Sequence, residues 1–324
     1  MSATPMRATP PALAHRIPRT RAAGIALAFV TAVVSGVAVF VNADAVARFP
    51  DATTYTTAKN LVAAVVLCGL WLGTGRPVRP PADGDEDRRP HRPPWVLLVV
   101  GIVGGSVPFV LFFEGLARST SVPAAFVHKT LVVWVALLAI PLLGERFDRW
   151  HAAAVAALVV GQALLVGNLA DLRPGAGEAM ILAATLLWAV EVVLARWLLH
   201  GYASLAVGAA RMGIGAVVLL AWVAVTGRGD DLAGLAAHQW GWALLTGVIL
   251  VGYVATWFAA LARAQAIDVT AVLVGGALVT ALLDAAVRGA PLAPDATALL
   301  LIALATTAIA GRAWRSPAPT RAAA

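Results

Sequence analysis

Six charged side chains interrupt stretches of sequence that are otherwise apolar, and they are the residues with the clearest capacity for chemistry. A charge inside a membrane-spanning helix costs about 2.5–3.5 kcal/mol on insertion scales, so each one needs a charged partner or a water-filled cavity. Three are cations and three are carboxylates, which leaves open both structural ion pairs and a polar binding site. The six residues are Lys59, Lys129, Arg211, Glu114, Glu191 and Asp284.

Lys129 stands in a polar run with His128, about seven residues into the apolar segment 122–143. At 1.5 Å per residue, this depth is roughly 10 Å along a helix. A cation at that depth that faces a cavity would hold an acidic or zwitterionic substrate, with His128 beside it. In the alternative interpretation, Lys129 extends its amine toward the membrane surface or pairs with Glu114 or Asp284.

Glu191 is a carboxylate placed at least eight residues from either end of the apolar segment 179–199. A carboxylate in apolar surroundings exchanges its proton nearer to neutral pH than an exposed one does. Glu191 and Asp284 are therefore candidates for coupling proton movement to that of another solute. Trp188 lies one helical turn from Glu191 on the same face and is a candidate binding residue. The alternative is that Glu191 pairs with Arg211 in the next helix.

The sequence contains no pattern typical of an enzyme or of a metal site. There is no nucleotide-binding glycine loop, no His-Glu-x-x-His and no Gly-x-Ser-x-Gly motif. The one cysteine, Cys68, and the scattered histidines have no metal-binding spacing. We therefore predict no catalytic residues, no metal and no cofactor. The alternative is an integral-membrane enzyme that acts on a lipid-linked substrate, and it would require carboxylates and histidines clustered at one membrane face.

The composition indicates that these residues are carried by membrane helices. Of the 324 residues, 60% are hydrophobic and 13% are charged, whereas soluble domains contain about 45–50% and about 25%. This excludes a soluble globule and a disordered chain. The net charge of +7 comes almost entirely from arginines in short tails and loops. Such a distribution favours the lipid bilayer, and not nucleic acid, as the partner of the chain.

The apolar segments predict an all-α integral membrane protein with ten transmembrane helices, because each spanning helix needs about 20 residues. The tails, 1–21 and 313–324, are predicted to lie in the cytoplasm, the first of them disordered. With the N-terminus inside, the inner segments contain 16 Lys and Arg and the outer segments five, which supports this orientation. The arginine- and alanine-rich composition favours a bacterial plasma membrane. The predicted spans are 22–44, 54–73, 95–116, 122–143, 151–169, 179–199, 204–226, 240–262, 268–288 and 296–311.

Two of the predicted spans contain helix-breaking residues. Pro108 follows Gly104-Gly105-Ser106, and this interruption either frees backbone groups that line a cavity or produces a simple kink. Gly275-Gly276, in the ninth span, permits close packing or bending.

The chain also contains an internal repeat of five helices. Residues 112–118 align with residues 257–263 at an offset of 145, and both segments end in Leu-Ala-Arg. The two repeats are predicted to cover 22–169 and 177–312. Because five is an odd number, the repeats should have opposite orientations in the membrane. Inverted repeats are typical of secondary transporters, whose substrate site lies between the halves near the middle of the membrane.

Four landmarks occur along the chain: Gly144-Glu145-Arg146, Leu186-Leu187-Trp188, the two Leu-Ala-Arg segments, and the cations Lys59 and Arg211 early in the second helix of each unit. As a set, they resemble those of the EamA-type transporters of the drug/metabolite transporter superfamily. The sequence departs from the family pattern at residues 288–290, where Arg-Gly-Ala replaces a second Gly-Glu, and at Lys59, where Arg is more common. The resemblance implies movement of metabolites or drugs across the membrane, often as export, without ATP.

We therefore expect a secondary transporter of small organic metabolites or drugs, working as an exporter, with proton coupling as one option. The expected partners are a small-molecule substrate and the lipid bilayer, and the expected assembly is a monomer or a homodimer. For Lys59 and Arg211, a structural ion pair remains the alternative to substrate binding. The expected substrate-binding residues are Lys59, His128, Lys129, Trp188 and Arg211.

Overall fold

The computed structural model describes residues 18–74, 92–118, 126–166, 175–292 and 296–315. Within these ranges the chain is helical and contains no β-strand. A short helical turn, 126–129, directly precedes α5. The helices are α1 (Pro18–Val46), α2 (Ala52–Gly73), α3 (Trp95–Gly105), α4 (Val107–Ala117), α5 (Leu131–Leu143), α6 (Arg149–Val166), α7 (Ala176–Leu198), α8 (Ser204–Val225), α9 (Gly229–Ala233), α10 (Ala237–Leu261), α11 (Ala266–Val274), α12 (Gly276–Arg288) and α13 (Ala296–Arg315).

The predicted multi-pass, all-α membrane architecture is confirmed. Eight helical stretches in the described ranges are long and apolar enough to cross a membrane. Two shorter apolar helices, Arg149–Leu165 and Ala296–Arg312, occupy the places of the predicted fifth and tenth spans, so a total of ten crossings remains a prediction. The first helix begins at Pro18, four residues before the predicted span. The rest of the predicted N-terminal tail, 1–17, and residues 316–324 lie outside the described residues.

The ends of several helices follow directly from local sequence. The Asp51 side chain accepts a hydrogen bond from the Thr54 backbone amide at 2.9 Å and so caps the start of α2. Gly144 and Gly289 end α5 and α12 with left-handed backbone angles, φ of 64° and 68°, which favour glycine. These two glycines are 145 positions apart, the offset of the internal repeat, so the two halves end their fourth helices in the same way.

Three of the apolar spans are interrupted within the described residues. The break between α3 and α4 falls at Ser106, two residues before Pro108, as the sequence predicted. The break between α11 and α12 falls at Gly275, and the break before α5 falls at Thr130. Thr130 and Gly275 are again 145 positions apart, so the fourth span of each half is interrupted at the same place.

The two halves interlock through contacts that recur when the halves are exchanged. The first helix of each half packs on the third span of the other: α1 on α10, and α7 on α3 and α4. The third span of each half also packs on the second helix of the other: α3 on α8, and α10 on α2. The first helix of each half packs on the fourth span of the other: α1 on α11 and α12, and α7 on α5. The second, fourth and fifth helices contact their own counterparts. This pattern confirms the internal repeat.

Glycines allow the first helix of each half to approach the Leu-Ala-Arg segment of the other half. A Cβ added to Gly24 would lie 2.8 Å from the Arg263 Cβ, and one added to Gly177 would lie 2.9 Å from the Arg118 backbone. Contacts this short exclude a side chain at either glycine. The repeated Leu-Ala-Arg therefore marks a close helix contact that occurs once in each half.

Candidate functional site

A cavity of about 210 Å³ lies between the two halves, inside the apolar bundle. Asp284, the second carboxylate predicted to couple protons, is not among its lining residues. Six of the seven residues predicted from the sequence line the cavity, although they come from distant parts of the chain. They are Lys59, His128, Lys129, Trp188, Glu191 and Arg211.

Glu191 and Arg211 form a buried ion pair in the wall of the cavity. Glu191 Oε1 lies 3.3 Å from Arg211 Nε, and their side chains are 2% and 6% exposed. The two atoms are not aligned for a hydrogen bond, and neither has another hydrogen-bond partner within the described ranges. Gly104 leaves room for the pair, since a Cβ there would lie 2.2 Å from Glu191 Cγ. The pair thus retains hydrogen-bonding capacity that a ligand or a proton can use.

Trp188 is held in place by the break in the third span. In a continuous helix the amide of residue 108 would donate to the Gly104 carbonyl, but proline has no N–H. The indole Nε1 of Trp188 donates to that carbonyl instead, at 3.1 Å. The interruption predicted at Pro108 therefore does free a backbone group, and it is used to fix an aromatic side chain of the other half.

Aromatic rings form one wall of the cavity around Trp188. Its ring centroid lies 5.4 Å from Phe109, 5.6 Å from Phe112 and 5.1 Å from His128. Edge-to-face arrangements at such distances stabilise aromatic clusters. His128 Nδ1 is buried in this cluster and has no hydrogen-bond partner in the described part of the chain.

Lys59 places its amine against a cage of three aromatic rings. Nζ lies 4.9 Å from the Tyr55 ring centroid, 4.6 Å from Phe113 and 5.7 Å from Phe109. These cation–π contacts partly replace the water that burial removes. Within the described ranges, no carboxylate lies within 4.0 Å of this amine.

Lys129 also lines the cavity, and neither partner proposed for it from the sequence pairs with it. Glu114 is engaged by Thr53 at 2.7 Å and by Arg118 and Arg228 at 2.7 and 3.0 Å. Asp284 pairs with Arg288 at 2.6 Å. Among the described residues, no ion-pair or hydrogen-bond partner is found for the Lys129 amine, so the cavity contains a second cation without a counter-charge.

A second group of lining residues was not predicted from the sequence. Tyr253 and Trp257 of α10 stack with ring centroids 5.9 Å apart and planes 13° apart. Polar side chains of Ser35, Asn42 and Thr270 also line the cavity. Trp257 was within reach of sequence reasoning, because it aligns with Phe112 at the repeat offset. The others carry no local signal that separates them from ordinary helix residues.

A charged network joins four helices, α1, α6, α11 and α13, at the end of the bundle that contains Arg21. Arg21 pairs with the fully buried Asp268 at 2.8 Å, and His151 Nε2 lies 3.3 Å from the other oxygen of Asp268. His151 in turn contacts Asp148, which also bonds Arg312. Although desolvation acts in the other direction, hydrogen bonds from His151 and Arg312 lower the pKa of Asp148 to about 2.

Glu145, of the Gly-Glu-Arg landmark, caps a helix of the other half at the same end. Its carboxylate accepts the backbone amides of Ala266 and Ile267, the first residues of α11, at 2.6 and 3.1 Å. The Arg196 guanidinium lies 3.8 Å away. Burial raises the pKa of Glu145, and the two backbone hydrogen bonds and Arg196 oppose that rise.

Comparison with known proteins supports the same architecture. The profile of the EamA-like transporter family matches residues 22–167 and 175–312. One matching solved structure, described only as the crystal structure of a protein, is 17% identical in sequence, with a TM-score of 0.71 over 88% of this chain and 95% of that chain. At this identity the likeness shows the fold alone. Among curated proteins, no sequence matches this chain.

Proposed function

Because the chain belongs to the EamA-like transporter family, we propose that it is a secondary transporter that exports small organic molecules across a bacterial plasma membrane in exchange for protons. The observation that carries this proposal is the cavity between the repeats, which is lined by four charged groups, three of them buried, in an otherwise apolar bundle. Such charges are costly in a membrane unless they serve a substrate or an ion.

Within this proposal, Glu191 is the residue that couples export to protons. Its carboxylate is held by Arg211 through one contact of 3.3 Å. When Glu191 binds a proton, the attraction between the two side chains is lost and the Arg211 guanidinium is available to a substrate. When the substrate leaves, Arg211 attracts the carboxylate again and favours release of the proton. Asp284 lies outside the cavity and pairs with Arg288, so the proposal gives it no direct role in this exchange.

Ten membrane crossings with both termini in the cytoplasm form part of the same proposal. Under this topology the network that contains Arg21 lies at the cytoplasmic side, and the ion pairs of Arg228 lie at the outer side. The excess of Lys and Arg on the inner side, 16 against five, supports the orientation.

The alternative of a membrane enzyme requires carboxylates and a histidine at one end of the bundle, and Asp148, His151 and Asp268 do form such a group. However, Arg21 binds Asp268 and Arg312 binds Asp148. None of the three residues lines the cavity. Asp268 is also fully buried. The arrangement is that of a network that holds helix ends together, and it leaves no acid or base facing a substrate site.

Flux measurements with the reconstituted protein test the proposal. Vesicles with an imposed pH gradient should move at least one member of a panel of amino acids, nucleosides and amphiphilic drugs, and uptake should reverse when the gradient is reversed. Vesicles that contain the Glu191→Gln variant serve as the matched control. Absence of flux for every member of the panel, with protein that is inserted and folded, would contradict the proposed function.

A further inference from the structure

Two of the three in-span cations, Lys59 and Arg211, occupy equivalent places in the two halves. A Cβ on Gly105, in the third span of the first half, would lie 2.1 Å from the Arg211 carbonyl oxygen. A Cβ on Gly247, in the third span of the second half, would lie 3.0 Å from the Lys59 carbonyl oxygen. Each cation therefore sits where a glycine of the other half approaches its backbone. The two residues are 152 positions apart in the sequence.

The carboxylate that partners Arg211 has no counterpart in the first half. Glu191 lies on α7. The offset of 152 between Lys59 and Arg211 makes Val39 of α1 its equivalent, and the offset of 153 between Gly24 and Gly177 makes Ala38 its equivalent. Both of these apolar residues line the cavity. By analogy with Arg211, a carboxylate is expected beside Lys59, but the equivalent position of α1 carries an apolar residue.

The surroundings of Lys59 leave its amine ready to bind an anion. An ammonium group has three N–H donors, and none of them has a hydrogen-bond acceptor among the described residues. The aromatic rings around it stabilise the charge without using those donors. With Lys129 and Arg211 against Glu191, the cavity contains three cations and one carboxylate.

We propose that the carboxylate of the substrate occupies, beside Lys59, the position that Glu191 occupies beside Arg211, and that the transported molecules are small organic anions with a flat apolar body. This inference rests on the proposed transport function. The body of the substrate would pack against the aromatic lining, which includes Trp188, Phe112 and the Tyr253–Trp257 stack. The cavity of about 210 Å³ has room for a molecule of one ring and a short acid chain.

The test uses three probes with the same phenylpropyl skeleton and different charge: 3-phenylpropionate, 3-phenylpropionamide and 3-phenylpropylamine. Binding to the purified full chain is measured by tryptophan fluorescence and by thermal stabilisation, and flux is measured in vesicles. We expect the carboxylate to bind at least about tenfold more tightly than the amide, and the amine to bind least. Equal binding of carboxylate and amide would overturn the inference.

A substitution that installs the missing carboxylate gives a second, independent test. Ala38 lies on the same face of α1 as Ser35 and Asn42 and lines the cavity with them. Ala38→Glu should neutralise Lys59 and lower the preference for carboxylate over amide by about tenfold. Ala38→Gln, with the same shape and no charge, should retain the preference, and it is this ratio that is compared between the two variants. An equal preference in the two variants would contradict the inference.

A third variant and the wild-type flux results separate a failure of the inference from a failure of the proposed function. If Ala38→Glu does not fold, Lys59→Gln should lose the same preference for carboxylate over amide, and retention of that preference would overturn the inference. If the wild-type chain transports the amide or the amine in preference to the carboxylate, the inference about charge fails while the proposed transport function stands. If no probe and no member of the wider panel crosses the membrane, the proposed function itself fails.

Discussion

The ion pair between Glu191 and Arg211 allows a structural role and a coupling role to be separated by substitution. Glu191→Gln mimics the protonated carboxyl group, so it should abolish flux driven by a pH gradient while substrate binding persists. It also leaves Arg211 without its partner, and breaking a fully buried pair costs about 3–5 kcal/mol. Arg211→Gln in the same chain should restore stability but not coupling. Thermal unfolding and vesicle flux of the single and double variants distinguish the two roles. Full pH-coupled flux in Glu191→Gln would rule out Glu191 as the proton carrier.

Lys129 is the second cation of the cavity without a partner in the described ranges, and its contribution to binding can be measured. Lys129→Ala should raise the KM for an anionic substrate by about tenfold, since hydrogen bonds to charged groups contribute about 1.5–3 kcal/mol. The fold should be unaffected because no protein partner is left unpaired. Lys129→Arg, which keeps the charge, is the control. Unchanged transport kinetics in Lys129→Ala would reduce Lys129 to a residue without a role in transport.

Residue types and spacing were sufficient to identify the charged residues of the cavity lining and one of its tryptophans. Charges and a tryptophan in apolar helices are conspicuous, so Lys59, Lys129, Glu191 and Trp188 stand out from the sequence. Their partners could not be derived in the same way, because the aromatic cage of Lys59 joins α2 to α4 and depends on how distant helices pack. For the same reason the sequence left Glu191 with two interpretations.

At the scale of helices, Glu145 is the cap that connects the two halves. Glu145→Ala should lower stability by about 1–2 kcal/mol, because it removes the acceptor for two amides at the start of α11. Arg146→Ala changes the exposed neighbour and serves as the control, with little effect expected. Thermal unfolding in detergent measures both variants. Equal melting temperatures for the two variants would contradict the capping role.

The break in the third span gives a second prediction for an element. A Cβ at Gly104 would lie 2.2 Å from Glu191 Cγ, so Gly104→Ala should displace the ion pair and reduce both stability and flux. Gly69→Ala is the matched control, because a Cβ there meets no atom within 4 Å; it should be neutral or slightly stabilising. Wild-type flux and stability in Gly104→Ala would show that the pair does not depend on this close approach.

Helix breaks differ in how far the sequence reveals them. Pro108 predicts the interruption of the third span because proline cannot donate a backbone hydrogen bond. Gly275-Gly276 was ambiguous between packing and bending, and the structure shows a break there. The break at Thr130 has no proline or glycine beside it, so only the alignment of Thr130 with Gly275 would have indicated it.

For the whole molecule, the orientation in the membrane is the prediction that can be tested most directly. In a chain with Cys68→Ala, a cysteine at position 173 or 231 should react with an impermeant reagent added outside intact cells. A cysteine at position 85 should react only after the membrane is permeabilised. Position 228 belongs to the same predicted outer segment but is left unchanged, because Arg228 pairs with Glu114. The opposite labelling pattern would invert the proposed topology.

The contacts that recur when the halves are exchanged have a consequence for the conformational cycle. If each half adopts the conformation of the other, the same classes of helix contact are formed again, so the cavity can open to the opposite side with little net change in packing. What differs between the two states is then the set of side chains that break the symmetry. In the repeat, the position equivalent to Glu145 is occupied by Ala290, and the position equivalent to Glu191 is occupied by Ala38. We therefore expect the energy difference between the inward- and outward-facing states to depend on a few carboxylates, and single substitutions at these positions to shift the resting population from one side of the membrane to the other.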